Sequence, residues 1–347
     1  MSRKIFLSFL LFASGSHAYG QNKNYQVLAI GFYNCENFFD TIHDPNKKDE
    51  DFTPKGDYHY TTKVYQQKVH NIATVMQQLG TDLSPDGAAI IGMAEVENNN
   101  VLNDLIMQPE LSARNYNYIW FYGPDERGIS TAMLYNPKYF RPINSEPIHV
   151  DVEKIGWDRP TRDVLHVCGI LAGDTVHILV NHWPSKYGGE ASSAGGRTVA
   201  AETDKRIADS LLKINPATRL LILGDFNDNP TSPGIIKVLQ AKQNRDEVTL
   251  TDIYNPWIIP YKKGIGTENY QGEWNLIDQI MMSGVFLKKN DAHWMFYKAE
   301  IFNKDFLVNK FGRDKGLPHR SFTYNNTWDN GYSDHFPVLT YFIKSTE

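Results

Sequence analysis

Two cysteines, Cys35 and Cys168, are all that 347 residues provide. Two are too few for a disulfide scaffold, and both lie in apolar, strand-like runs, so two small buried thiols are expected rather than a bridge. His and Cys nowhere fall at the spacing of a structural zinc site. Beyond the opening residues no apolar stretch reaches the roughly 18 residues that a membrane helix needs, so stable membrane association is not expected. A basic surplus is missing too. Lys and Arg number 35 against 40 Asp and Glu, a formal net charge of −5. A duplex-binding protein usually carries the opposite balance. The acidity argues against tight, metal-free binding of nucleic acid. It leaves room for an enzyme that gathers metal ions with carboxylates and holds such a substrate transiently. There are no repeats, low-complexity tracts or composition shifts to mark a linker, and nothing implies a protein partner.

What is present begins with a leader pattern. Arg3 and Lys4 precede an apolar run from Ile5 to Ser14, and Ser16-His17-Ala18 offers the small residues a signal peptidase reads. Residues 1–18 are therefore expected to be a signal peptide, with residues 22–345 forming one exported domain, periplasmic or extracellular. No Cys stands just after the run to take a lipid anchor. Apolar residues make up 41% of the chain and aromatics 13%, enough for a substantial core. Buried-strand patterns recur at Tyr25 to Tyr33, Ala88 to Ala94, Tyr116 to Phe121, Thr131 to Tyr135, Val164 to Leu171, Val176 to Val180, Leu220 to Leu223, Leu276 to Met282 and Val338 to Ile343. Helical spacing marks Lys63 to Leu79, capped by Thr61 or Thr62, and about Thr198 to Lys213; short helices are expected after Asn100 and near Ile235 to Leu239. Asp40 to Tyr60 reads as a long polar loop. Strands arrive both in alternation with helices and in runs, which predicts a layered α/β sandwich with mixed sheets.

Several polar groups share one placement, just beyond the end of an apolar strand. Asn34 and Glu36 follow the first strand and Glu95 the second. Asn181 and His182 follow Val176 to Val180. Asp225, Asn227 and Asp228 follow Leu220 to Leu223. Asp334 and His335 immediately precede the last strand. Loops at strand ends converge on a rigid rim, which is where ligand and catalytic groups of α/β sheets collect. Taken singly, each has a plainer explanation. Gly224 to Asp228 is also a turn, Glu95 a solvated carboxylate, His182 a satisfied histidine, and Ser333-Asp334-His335 a cap and turn. Five strand ends carrying carboxylates, amides and two histidines together point to a site. The oxygen donors suit a hard cation, Mg²⁺, Mn²⁺ or Ca²⁺. Histidine adds a proton donor or acceptor that works near neutral pH.

The segments Asn34-Cys35-Glu36-Asn37, Ala94-Glu95, Asn181-His182-Trp183-Pro184-Ser185, Gly224-Asp225-Phe226-Asn227, Ile277-Asp278-Gln279 and Ser333-Asp334-His335 resemble, in order, the motif series of the endonuclease/exonuclease/phosphatase superfamily. That superfamily includes pancreatic-type deoxyribonuclease, abasic-site endonucleases, sphingomyelinases and inositol-polyphosphate phosphatases. The resemblance runs from about residue 25 to 343. It implies a four-layer α/β sandwich, two packed β-sheets with helices outside. It also implies roles: Glu95 as principal metal carboxylate; Asn34, Glu36 and Asp334 as further metal or metal-water contacts; Asp225 and Asn227 positioning water and phosphate. His335, oriented by Asp278, would activate water or stabilise phosphoryl oxygen, and His182 would donate to phosphate or leaving oxygen. The family does not fix which histidine is base and which acid. Two departures stand out: Ala94 sits where many members have Gln, and Glu36 where others carry Asp or an unrelated residue.

Asn181, Arg127, Arg162 and Arg197, the last after a Gly-rich segment from Ser185 to Gly196, are further candidates for phosphate contact. The expected activity is metal-dependent phosphodiester cleavage, with nucleic acid of low sequence specificity as the transient substrate. The His182 to Lys186 segment is similar to that of secreted bacterial nucleases of the family. A phospholipid or sugar-phosphate esterase on the same fold is the alternative, and a catalytically dead binding module the third.

Overall fold

Alternation along a few strands explains the layering. In the strand Tyr25–Phe38, Leu28, Ile30 and Phe32 enter one core while Ala29 and Tyr33 enter another. A strand buried on both faces must lie between two apolar layers. The structure is a computed structural model that describes residues 24–346. The leader expected over residues 1–18 lies outside them.

Along the chain the strands are β1 (Tyr25–Phe38), β2 (Ala88–Val96), β3 (Asn117–Trp120), β4 (Ser130–Tyr135), β5 (Phe140–Ile148), β6 (Val164–Leu171), β7 (Asp174–His182), β8 (Arg219–Asp225), β9 (Ile253–Tyr254), β10 (Glu268–Tyr270), β11 (Glu273–Asn275), β12 (Asp278–Ser283), β13 (Met295–Ile301) and β14 (Val338–Ser345). The helices are α1 (Thr62–Met76), α2 (Asn99–Ile106), α3 (Pro109–Ser112), α4 (Glu190–Ile214) and α5 (Ile258–Lys262). One six-stranded sheet runs β13-β14-β1-β2-β4-β3, the other β5-β6-β7-β8-β12-β9. Both are mixed: β1–β2 and β7–β8 are parallel, and their other neighbours antiparallel.

The sheets pack face to face. Leu28, Ile30 and Ile90 of the first meet Ile178, Val180, Leu221 and Leu223 of the second in the central core. At Gly92 they approach closely, since a Cβ there would stand 2.2 Å from Leu223 Cδ1. Outside the first sheet, α1 lays Val69, Ile72 and Met76 against Ala29, Ile91 and Met93. Outside the second, α4 lays Val199, Ile207 and Leu212 against Leu179, Leu220 and Ile222. Each fully buried aliphatic side chain of this kind contributes about 1.5–3 kcal/mol. Helix, sheet, sheet, helix is the four-layer α/β sandwich the sequence predicts.

Three local expectations change. Thr61 caps α1 as foreseen, accepting from Val64 N, but Asn98 rather than Asn100 caps α2. The Gly-rich segment Ser185 to Gly196 is largely helical, because α4 starts at Glu190. Gly196 is needed there: a Cβ would meet the Trp157 ring at 2.4 Å. Strands β5 and β13 carry Pro142, Pro147 and polar residues and escape an apolar-run reading. Cys35 and Cys168 are both free thiols. Among the described residues no helix is long and apolar enough to cross a membrane.

Candidate active site

Strand register brings the predicted groups together. Parallel pairing sets His182 opposite Asp225, and antiparallel pairing sets Asp278 opposite Asp225. Gly224 makes this approach possible, since a Cβ there would lie 2.4 Å from Asn181 O. In the facing sheet, β1 and β2 pair up to Asn34 and Ala94, then both lose register. Glu36 (φ 48°), Asn37 (φ 54°) and Glu95 (φ 62°) occupy the left-handed region at these bulges. Such backbone costs on the order of 1–3 kcal/mol per residue and needs to be held. It is held by the site's own side chains: Glu36 N donates to Asn34 Oδ1 at 2.9 Å and Asn37 N to Glu95 Oε2 at 2.7 Å. The bulges thus turn Asn34 and Glu95 onto the rim.

Asp225 is the centre of the network. Its Oδ2 accepts from Asn34 Nδ2 at 3.0 Å and stands 3.7 Å from His182 Nε2, while its Oδ1 accepts from Asn227 N at 2.8 Å. Asn227, also at positive φ, donates from Nδ2 to Trp183 O at 3.0 Å. His182 Nε2 lies 3.9 Å from Glu95 Oε1, and its Nδ1 has no protein partner. Across the site His335 Nδ1 donates to Asp278 Oδ2 at 2.8 Å. His335 Nε2 is 3.8 Å from Asp334 Oδ1. One side-chain donor atom each of Asp225, Asp278 and His335 lies within 4.8 Å of the others. Ser333 ties the turn down, donating from Oγ to Asn34 O at 2.7 Å and accepting from His335 N.

The surroundings push the two imidazoles in opposite directions. Burial works against a charged His335, but Asp278, Asp334 and Asp225 outweigh it and raise the imidazole well above the usual histidine range. Burial pushes His182 well below that range, and the cations Arg162, Arg127 and His335 push it further. A protonated and a neutral imidazole around one carboxylate is the separation that acid–base sites are built on. Burial raises Asp225 to about 7, with His335 pulling down and Asp278 pushing up.

The arginines divide. Arg162 is buried and serves the backbone: Nε donates to His182 O at 3.1 Å and a terminal nitrogen to Trp183 O at 2.6 Å, with Asp125 paired at 3.2 Å. Arg197 is 1% exposed and held by Asp228 at 2.9 Å and Glu190 at 2.5 Å. Neither is free to fork onto a phosphate, so both expectations are corrected; buried carboxylates and carbonyls claim guanidinium groups more strongly than solvent does. Arg127 alone stays half-exposed, 3.8 Å from Asp125. Asn181 is fully buried and accepts from Trp183 Nε1 at 3.3 Å.

The sequence reading missed Arg320 and Lys68. Arg320 donates to Asp334 Oδ2 at 3.1 Å and faces Glu36 Oε1 at 3.6 Å, and Lys68, fully buried, donates to Ser321 Oγ at 2.5 Å. No motif announces either residue. Arg320 sits in irregular chain before the Ser333 turn and Lys68 in the buried stripe of α1.

The model of the endonuclease/exonuclease/phosphatase family matches residues 29–344. The chain belongs to this family. Its solved structural neighbours include a humanized D. rerio TDP2 (12% identity, 91% of this chain and 98% of that one, TM-score 0.53). A family protein from Bacteroides thetaiotaomicron is also similar (14%, 92% and 99%, 0.52), as is the human Nocturnin catalytic domain with bound sulfate (14%, 94% and 97%, 0.53). At these identities the likeness is one of fold. No curated protein matches the chain in sequence. Family enzymes are hydrolases of phosphate esters and generally use divalent metals. The donors here fit such an ion: Glu95, Asn34 and Asp334 present hard oxygens at a rim crowded with buried carboxylates.

Proposed function

We propose that this chain is an exported, divalent-metal-dependent phosphodiesterase, with nucleic acid of low sequence specificity as its substrate. The observation that carries the reading is the geometry: Asp225 is buried beside both His182 and the His335–Asp278 pair, and its surroundings push the two imidazoles in opposite directions. Glu95, Asn34 and Asp334 would hold Mg²⁺ or Mn²⁺, which supplies charge neutralisation at phosphoryl and leaving oxygens when bound.

The chain's own residues would do the rest. Asp225, oriented by Asn34 and the Asn227 amide, takes a proton from the attacking water. The water oxygen bonds to phosphorus and the ester P–O bond breaks; the leaving oxygen is protonated from solvent. His335 keeps its proton and donates from Nε2 to the phosphoryl oxygen that gains charge. Asp278 fixes the ring and its charge. Neutral His182 donates a second hydrogen bond from Nε2.

Two further observations favour nucleic acid. A cavity of ≈ 790 Å³ beside Arg162 and Pro184 is lined by Arg127, Arg159, Trp157 and Tyr187. Guanidinium groups and aromatic faces are what a phosphate and its neighbouring base use. D. rerio TDP2, on the same fold, has been solved with a single-strand DNA product.

The test is purified protein, with and without EDTA, on plasmid DNA, RNA, sphingomyelin and an inositol phosphate. EDTA-sensitive cleavage of DNA or RNA supports the proposal. Cleavage of only the lipid or the inositol phosphate moves the substrate and keeps the chemistry. Turnover of none sinks the reading for these esters. Export is tested by locating residues 22–345 in periplasm or medium.

A further inference from the structure

The outer face of the second sheet carries a cluster of titratable groups that the candidate active site does not use. On β6, Leu165 and Val167 enter the central core, so His166 and Cys168 point to the other side. Strand pairing sets Glu146 of β5 opposite His166, and His177 of β7 opposite Cys168. The four side chains form one line of contacts. Glu146 Oε1 lies 3.0 Å from His166 Nδ1, His166 Nε2 lies 3.0 Å from His177 Nδ1, and His177 Nε2 lies 3.7 Å from Cys168 Sγ.

The carboxylate decides where each proton sits. Ionised Glu146 can only accept, so His166 Nδ1 carries the hydrogen. Neutral His166 then accepts at Nε2 from His177 Nδ1. His177 Nε2 is left with its lone pair facing Cys168, whose S–H donates. That is a nucleophile, a base, and an orienting pair behind the base. Cys168 and His177 are partly exposed, whereas Cys35 is fully buried. Burial pushes the Cys168 thiol up and His177 down, so both rest neutral and the proton leaves sulfur only during attack.

We propose that Cys168 is a nucleophilic thiol, with His177 as its base, that exchanges with small disulfides and so carries a mixed disulfide on this face. His177 Nε2 takes the thiol proton while Sγ bonds to one sulfur of the disulfide. The S–S bond of the small molecule breaks, and the departing thiolate takes the proton back from His177. The imidazolium formed in between is balanced by Glu146 through His166. An exported chain, as proposed above, meets such disulfides outside the reducing cytosol.

The test is the rate at which the native, full-length protein reacts with dithiodipyridine, followed by thiopyridine absorbance, and with glutathione disulfide, followed by intact mass. One thiol should react in wild type and in Cys35→Ser, and none in Cys168→Ser. The wild-type rate should rise with pH through the titration of a histidine, ahead of the alkaline titration of an ordinary thiol. His177→Gln should be about 10²-fold slower at neutral pH and should lose that lower rise. Glu146→Gln, a change at an exposed side chain, should slow the reaction and keep the rise. A wild-type rate that climbs only with alkaline thiol titration would overturn the inference. So would His177→Gln and Glu146→Gln proteins that both react as fast as wild type, or a native protein whose Cys168 does not react.

Discussion

His335 Nδ1 and Asp278 Oδ2 are 2.8 Å apart, and both residues are buried. The pair joins two sheets: Asp278 opens β12 of one, and His335 precedes β14 of the other. Their hydrogen bond therefore fixes a proton and also the distance between the two halves of the site.

Removing the Asp278 charge should cost catalysis more than binding. Asp278→Asn is expected to lower kcat by about 10²–10⁴-fold with KM little changed. His335→Ala should do the same, and the double variant should be little worse than either alone, because the two act as one unit. Steady-state kinetics on a soluble phosphodiester checks this. A double variant whose losses multiply would show that the residues act separately.

The pH profile follows from the same pair. Asp225 must be ionised to accept a proton, so the rate should rise with pH through about 7 in the absence of a metal-induced shift. His335 must stay protonated. Its raised range keeps it so until well above the usual histidine range, where the rate should fall. In Asp278→Asn the main charge raising His335 is gone, so the alkaline limb should move to lower pH and the active window narrow. An alkaline limb that stays in place would remove His335 from that role.

Arg162 makes a stability prediction. It is buried, satisfies the carbonyls of His182 and Trp183, and pairs with Asp125. Arg162→Met takes the buried cation from Asp125 and one donor each from the His182 and Trp183 carbonyls. Breaking a buried pair in this way typically costs about 3–5 kcal/mol. Urea unfolding should register that loss, and kcat should fall as His182 loses its anchor. An unchanged midpoint would contradict the buried network.

Asp204 gives a second, opposite case. It is fully buried on α4, accepts from Trp183 Nε1 at 3.2 Å, and burial raises it to about 8. A folded-state value above the unfolded one means that the folded state holds the proton more tightly. Stability is then lost as pH rises from about 4 toward 8, at most about 1.4 kcal/mol per pH unit for one group. Asp204→Asn keeps an acceptor for Trp183 and removes the titration. Its advantage in melting temperature over wild type should grow across that range. A difference that is flat with pH would mean that Asp204 is not titrating there.

How much of this could be read in the chain depends on how local each signal is. Buried strands such as Val164–Leu171 show as apolar runs, and most of the candidate groups show because each stands at the end of such a run; Asp278, inside the run Leu276 to Met282, shows only through the family resemblance. Asp225, Asp278 and His335 needed only the order of the strands to meet. Strands β5 and β13 were hidden because half-exposed strands with proline or charge give no apolar run. Arg162 and Arg197 misled because sequence shows a charge but not its partner. Asp125 and Asp228, which claim those charges, reach them only through tertiary packing, and Glu190 pairs with Arg197 from two turns earlier on α4, in a stretch that the sequence reading left outside the helix. Arg320 was invisible for the same reason. Its partners Glu36 and Asp334 come from opposite ends of the chain.

The most direct measurement is hydrolysis of a simple phosphodiester, bis(p-nitrophenyl) phosphate, by the purified protein with Mg²⁺ or Mn²⁺, set beside Asp225→Asn. Wild type should turn it over, EDTA should abolish that turnover, readdition of the ion should restore it, and Asp225→Asn should lose about 10²–10⁴-fold in kcat while remaining folded. Turnover that survives EDTA, or an Asp225→Asn protein as active as wild type, would contradict the account.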